Sequence, residues 1–451
     1  MKTIPTITDV GPIVRHDEKV LILGGGASGI AIGKTFSQRG IPFDIIERED
    51  DFGGNWYLNS PASKVYRSAH LISSKTNTQL SDYPMPDDYP HYPSHTQFLA
   101  YLRDVAKTFG LYEKTRFNVE IKALSPFEGG WLAELSDNSR HWYADVVVAN
   151  GLLRDPIFPA IPGHFSGELI HSIDYVSSDV FDGKRVLVVG GGNSGCDIAV
   201  DSAQRASYTC HSMRRGYHYM PKFIDGKPTQ EWLMEIVSQF ESPEAYWEHV
   251  QATFKLAGFD GTDFGLPKPD HAIHQAHPIL NSNILYCMGH GDLVSKPDVV
   301  SFDDEWVEFA DGSRDKFDVV LLATGYKPSL PFLDSSVLDR EKGMNQLFLH
   351  SVPMHYDSIV FAGYFNIPSG FGNLANNCSR FLANYFLSKR RNTASWRVFN
   401  QFKHYQDEID IGHGQFVNTR RHANELDLWK YIKTVNFISE QLEAELDHSS
   451  V

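Results

Sequence analysis

Short apolar runs closed by glycine recur along this chain. Val20 to Leu23 (VLIL) is one, Val186 to Val189 (VLVV) a second, and Val319 to Leu322 in FDVVLLATGYKP a third. Four apolar residues without polar alternation predict strands buried on both faces, as in a parallel sheet flanked by helices. After the first two runs the apolar spacing becomes helical. IAIGKTFSQRG follows the first and stops at Gly40; CDIAVDSAQ follows the second. A further strand, in PFDIIERE, ends at Glu47, and its counterpart ASYTCHSM ends at Arg214 and Arg215. Residues 226–262 have the spacing of amphipathic helices, as does the region from about 385, including Tyr405 to Lys433. Tyr83, Tyr89 and Tyr92, interleaved with prolines, predict an ordered loop.

The glycines between these strands and helices are spaced G-x-G-x-x-G. In the first loop Gly24 allows the tight turn, Gly26 lets a pyrophosphate approach the backbone, and Gly29 lets helix and strand pack closely. The helix start, which includes Ser28, offers unpaired N–H groups and partial positive charge. Glu47 accepts hydrogen bonds from a ribose diol and repels a 2′-phosphate, so this site is expected to hold the adenosine of FAD or NAD rather than NADP, with Arg48 beside it; FAD is the economical assignment once the second loop takes NADPH. The second loop repeats the pattern with Gly190, Gly192 and Gly195, and Asn193 and Ser194 open its helix. Here the strand ends in arginine, which matches a 2′-phosphate, so NADPH is expected. The expected architecture is α/β, with two Rossmann-like dinucleotide-binding domains of parallel strands and crossover helices. The NADP domain (169–317) is inserted into a discontinuous FAD domain (1–168 and 318–451).

Composition narrows the partners. The chain has 451 residues and a net charge of −15, which argues against nucleic acid and anionic membranes. Lys389, Arg390 and Arg391 are read as solvated surface. No apolar run is long enough to span a membrane, and the N-terminus lacks the apolar stretch of a signal peptide, so a cytoplasmic location is expected. Cys196, Cys210, Cys287 and Cys378 are far apart, and His271, His274 and His277 have no cysteine near them and are followed by Pro278, so no metal is expected.

DFGGNWYLNSPASKVY, after the acid of the first loop, holds no cysteine pair, which disfavours disulfide reductases. Its Gly53, Gly54 and Trp56 resemble the flavin-containing monooxygenases (class B flavoprotein monooxygenases). Other segments are similar to that family in the same order: SDYPMPDDYP, SMRRG, LPKPDH and HPILNSNILYCMGHGD of its bacterial branch, ATGY with Ala323, Thr324 and Gly325, and FAGYFNIPSGFGNLANNCSR. FSGELIHSIDY carries F-x-G-x-x-x-H-x-x-x-Y through Phe165, Gly167, His171 and Tyr175; related Baeyer–Villiger enzymes usually end this pattern in Trp. The resemblance covers about residues 18–385 and implies that NADPH reduces FAD, that a C4a-hydroperoxyflavin forms with O2, and that a soft nucleophile on a small molecule takes up one oxygen. Ketone oxidation and an uncoupled NADPH oxidase or nucleotide-binding protein are the alternatives. One departure stands out. Many members carry Asn before a small-small-Lys triplet near the flavin; here Ile72 precedes Ser73, Ser74 and Lys75. Isoleucine donates no side-chain hydrogen bond, so Ser73 and Asn77 are the candidates to replace it. His171 is read as either catalytic or a domain-junction residue, and Lys75 as a surface lysine. The C-terminal region either covers the FAD domain or forms a homodimer contact.

Overall fold

The computed structural model describes residues 12–446, except Ala62, Arg340 and Glu341. Most of the segment read as lacking a signal peptide lies outside the described residues.

The first apolar run ends strand β1 (Ile13–Leu23), followed by α1 (Ala27–Gln38) and β2 (Phe43–Ile46). Helix α2 (His95–Thr108) starts at a capping box, in which Ser94 and Gln97 satisfy each other's backbone N–H groups. Strands β3 (Thr115–Arg116), β4 (Ile121–Phe127), β5 (Gly130–Leu135) and β6 (Arg140–Val148) complete most of the first sheet, in the order β3-β2-β1-β6-β5-β4. The sheet is mixed rather than wholly parallel, because β4, β5 and β6 form an antiparallel meander. Alternate residues of β1 enter two cores: Val20 and Ile22 face the side of α1 and α2, Leu21 and Leu23 the other.

The chain then leaves the first sheet. Strands β7 (Gly163–Phe165), β8 (Glu168–His171) and β9 (Arg185–Val189) precede α3 (Asn193–Ala203) and β10 (Tyr208–Ser212). The amphipathic stretch becomes α4 (Thr229–Ile236) and α5 (Pro243–Leu256), before α6 (Asn283–His290). Next come β11 (Val294–Lys296), β12 (Val299–Asp304), β13 (Trp306–Phe309), β14 (Arg314–Lys316) and β15 (Val319–Leu322). The second sheet is parallel throughout, in the order β11-β10-β9-β15-β8.

Two expected boundaries move. The strand expected to return the chain to the first domain at residue 318 is β15, which pairs with β9 and β8 in the second sheet. The chain meets the first sheet again through a parallel bridge between Leu333 and Leu124 of β4, and adds a full strand to it at β16 (Ile359–Phe361), beside β6. Likewise β7 lies within the expected first segment but pairs with β12 of the second unit. Four apolar residues fit either sheet, so the run does not encode its partner.

Helix α7 (Phe371–Arg391) crosses the first domain, and α8 (Ala394–Phe402) and α9 (Leu428–Glu443) pack against it. Between α8 and α9 the chain is mainly irregular, not one amphipathic helix. Lys389 and Arg390 are not simply solvated: both pair with the buried Asp145, and Arg391 donates to the Leu446 carbonyl at 2.9 Å. Lys75 also departs from its surface reading, donating to the carbonyls of Asp87 and Tyr89 at 3.0 Å each, which orders the tyrosine–proline loop. Among the described residues no helix is long and apolar enough to cross a membrane.

Lys34 of α1 is only 2% exposed, and its ammonium meets both carboxylate oxygens of Asp82 at 2.5 and 2.7 Å. Burial works to raise the Asp82 pKa, but hydrogen bonds from Lys34 and Gln38 outweigh it and hold it low. Asp82 therefore stabilises the fold above the ordinary aspartate pKa, and loses that effect as pH falls through its depressed value. Asp82→Ala is expected to cost about 2 kcal/mol, because it removes a charge-assisted hydrogen bond and leaves the buried ammonium with the Gln38 side-chain oxygen at 3.0 Å. Urea unfolding of the variant checks this; a cost within about 0.5 kcal/mol of zero, as for an ordinary surface change, would refute it.

Candidate functional site

Both glycine loops sit at the carboxyl ends of parallel strands, where α/β sheets place their ligands. Gly24 has φ +109°, and a Cβ there would stand 2.6 Å from the Ala149 carbonyl oxygen. A Cβ on Gly29 would overlap the Gly24 carbonyl oxygen. Gly26 differs: the protein atom nearest its would-be Cβ is Gly54 Cα at 3.7 Å. Its side faces open space, which fits a pyrophosphate. The buried Glu47 carboxylate accepts from the Gly25 N–H at 2.5 Å and the Glu49 N–H at 2.9 Å. Each oxygen keeps acceptor capacity for a ribose hydroxyl. Burial raises the Glu47 pKa, opposed by those two N–H groups.

The other candidates of the first loop have mixed positions. Ser28 lies against Gly363, where a Cβ would stand 2.6 Å from the Ser28 hydroxyl; Gly363 has φ +76°. Gly54 touches Gly26, and Trp56 packs edge-on against Phe98 at 4.7 Å between centroids. Arg48 is turned to Glu49, Nε to Oε1 2.8 Å. The turn after β6, Ala149-Asn150-Gly151, was missed at the level of sequence. Its signal is the resemblance between VVVANG and VLLATG, two apolar strands each ending beside a glycine loop.

Ser73 and Asn77 share one turn. The Ser73 hydroxyl is buried and bonded to the Thr78 hydroxyl at 2.6 Å; the Asn77 amide donates to Ser74 Oγ at 3.1 Å. Gly370, the N-cap of α7, abuts the Asn77 main chain so closely that a Cβ would overlap its carbonyl. Ile72 points elsewhere, packing against the cluster of Tyr92, Met220 and Trp232. His171 is not joined to this turn. It ends β8, with its ring near Phe158 and Tyr326. Its Nδ1 accepts the Ile173 N–H at 3.1 Å, Nε2 is buried without a partner, and burial lowers its pKa.

Around the second loop, Gly190 has φ +129°, and a Cβ would overlap the Ala323 carbonyl oxygen; one on Gly195 would overlap that of Gly190. His211, buried beneath, bonds the Gly190 carbonyl at 2.9 Å, and burial pushes its pKa down to about 4, so it is a neutral donor. Ser194 is exposed at the start of α3, but Asn193 is occupied: its Oδ1 accepts the Leu280 N–H at 3.1 Å. Ala323 backs this loop rather than the first. Thr324 donates to the Ile157 carbonyl at 2.5 Å, and Gly325 accepts the Ile157 N–H at 3.0 Å, so both tie down the interdomain connection.

The expected arginine pair divides. Arg214 is exposed and has no partner among the described residues, while Arg215 donates to Asp270 at 2.6 Å. His271 first, and then Arg215, hold the Asp270 pKa down to about 2. The three histidines of HAIHQAHP point to separate partners: His271 to Asp270, His274 to the Trp247 ring, His277 to Glu425. A cation missed at the sequence level completes the loop. Arg421 lies over the Tyr217 ring at 4.8 Å, and its guanidinium carbon is 4.0 Å from where a Gly192 Cβ would be. Its Nη1 is buried without a partner. The only local signal was the basic RRH in an acidic chain.

Comparison with known proteins agrees with this geometry. The flavin-binding monooxygenase-like family model matches residues 17–366. Flavin-containing monooxygenase 5 of Oryctolagus cuniculus is 35% identical over 342 residues, 71% of this chain and 64% of that one. Flavin-containing monooxygenase 1 of Canis lupus familiaris is 30% identical over 364 residues, 75% of this chain and 67% of that one. The matches thus span about two thirds of these relatives. In fold, an open crystal structure of cyclohexanone monooxygenase superposes with a TM-score of 0.72 at 17% identity, covering 96% of this chain and 99% of that one.

Proposed function

Since the chain belongs to the flavin-binding monooxygenase-like family, we propose that it is an FAD- and NADPH-dependent monooxygenase that places one oxygen of O2 on a soft nucleophile. The substrate class is a small molecule presenting an amine nitrogen or a sulfide sulfur. The observation that carries this reading is the pair of glycine loops with opposite charge at their strand ends, Glu47 at one and Arg214 with Arg215 at the other.

When bound, FAD carries electrons from NADPH to O2. The chain binds, orients and shields. Gly24, Gly26, Ser28 and Gly29 would hold the FAD pyrophosphate and Glu47 would accept from its ribose, with Gly54 and Trp56 bordering the same space. Gly190, Gly192, Ser194, Gly195 and Arg421 would hold the NADPH pyrophosphate, and Arg214 would bind the 2′-phosphate. Ser73 with Thr78, and Asn77 against the N-cap Gly370 of α7, would supply hydrogen-bond donors to the flavin in place of the absent Asn. Neutral His171 holds the junction between the domains.

Ile72 motivates a second reading, an NADPH oxidase that releases its oxygen as hydrogen peroxide. Isotope-labelled O2 distinguishes the readings. The FAD-loaded protein, given NADPH and a panel of tertiary amines, sulfides and ketones, is expected to place label in an N-oxide or S-oxide. Label in an ester or lactone reassigns it to ketone oxidation. Peroxide equal to NADPH consumed, with every substrate, sinks the monooxygenase reading.

A further inference from the structure

One short segment, residues 417–426, is hydrogen-bonded to both domains. At its start the Val417 N–H donates to the Gln275 carbonyl of the second domain at 2.9 Å, and Arg421 covers the second glycine loop. At its end the Asn366 N–H donates to the Asn424 carbonyl at 2.8 Å, and the Leu426 N–H to the Asn366 carbonyl at 2.9 Å. Leu426 is buried in the core of the first domain. Asn366 belongs to the turn running from Gly363, against Ser28, to Gly370, against Asn77. The segment thus reaches from the second loop to the rim of the first site.

Glu425 is its buried link. The residue is 2% exposed; Oε1 is 3.5 Å from His277 Nδ1 of the second domain, an ion-pair separation rather than a hydrogen bond, and Oε2 has no partner. Its N–H donates to the His422 carbonyl at 3.1 Å, which joins it to the turn carrying Arg421. A carboxylate this deeply buried is tolerated only with a partner, and among the described residues His277 is the side chain placed against it. The His277–Glu425 contact therefore fixes the segment to the second domain just where its backbone is bonded to the first.

We propose that Glu425 is a positioning residue that transmits occupancy of the second loop to the turn 363–370. This rests on the assignment of that loop to NADP+. A phosphate on Gly192 restrains Arg421; the restraint passes through the His422–Glu425 turn, held by His277, to the bridge at Asn366. The path is one contiguous run of covalent and hydrogen-bonded contacts. Occupancy of the second loop then steadies the turn 363–370, and loosening that turn raises the loss of oxygen as peroxide.

Hydrogen exchange on the full-length, FAD-loaded protein tests this. Adding NADP+ to the native protein is expected to slow exchange at 190–196 and at 363–370. In Glu425→Ala the slowing at 363–370 is lost while that at 190–196 persists, and peroxide per NADPH rises severalfold. Glu425→Gln restores part of both. His277→Ala, on the other domain, gives the same loss and guards against a folding failure of the Glu425 variants. Equal slowing at 363–370 in His277→Ala and native protein overturns the proposal. If NADP+ fails to slow exchange at 190–196 in native protein, the NADP+ assignment falls, and the coupling with it.

Discussion

Gly195→Ala is expected to yield a yellow, FAD-loaded protein that needs roughly 100-fold more NADPH for reduction. The added Cβ would overlap the Gly190 carbonyl oxygen and stand 3.4 Å from Ala323 Cβ. The first obstacle is backbone, so no rotamer relieves it. Val186, Val188 and Ile198, fully buried, fix β9 and α3 against each other, so the helix can give way only by moving off the sheet. That movement takes its N–H groups from the pyrophosphate. An overpacking cost of about 3 kcal/mol corresponds to a loss of roughly 100-fold in affinity. FAD stays, because the first loop lies on a different sheet with its own cores. The mirror variant, Gly29→Ala, meets the Gly24 carbonyl in the same way and is expected to be isolated without flavin. The visible spectrum and an anaerobic NADPH titration check both. A Gly195→Ala protein reduced at the native rate would remove NADPH from the second loop.

The two loops were legible because their demands are local. Gly29 and Gly195 are required by the Gly24 and Gly190 carbonyls of their own loops, and Gly24 and Gly190 by their own positive φ of +109° and +129°, demands that the strand–glycine–helix order states directly. What was not legible depends on atoms distant in sequence. Val319 to Leu322 read as a strand, but their partner is chosen by packing across two sheets. Asn193 opens a helix as expected, yet its side chain is taken by Leu280. Lys389 and Arg390 look like solvent-facing charges until Asp145 is found beneath them. Arg421 sits in a stretch read as a covering helix; only the fold brings it over Gly192.

Charge around the second loop separates the two phosphate groups, giving the other large effect. The 2′-phosphate exists in NADP+ and not in NAD+, whereas both carry the pyrophosphate. Arg214 and Arg215 follow β10, where the proposed function sets the 2′-phosphate, so replacing both with alanine is expected to weaken NADP+ by about 100-fold, given that a charge-assisted hydrogen bond contributes roughly 1.5–3 kcal/mol. NAD+ affinity changes little. Most of the loss belongs to Arg214, which is exposed and unpaired among the described residues, and less to Arg215, already held by Asp270 at 2.6 Å. Because Arg214 faces solvent, its share falls as salt rises. Arg421→Ala behaves differently. Its guanidinium lies over Gly192, which the proposed function assigns to the pyrophosphate, and is partly desolvated, so NADP+ and NAD+ should both weaken by about tenfold. Titration of each nucleotide against the FAD-loaded variants measures the ratio. Equal loss of NADP+ and NAD+ in the Arg214/Arg215 variant refutes the 2′-phosphate assignment, while a loss confined to NADP+ in Arg421→Ala moves that arginine from the pyrophosphate to the 2′-phosphate.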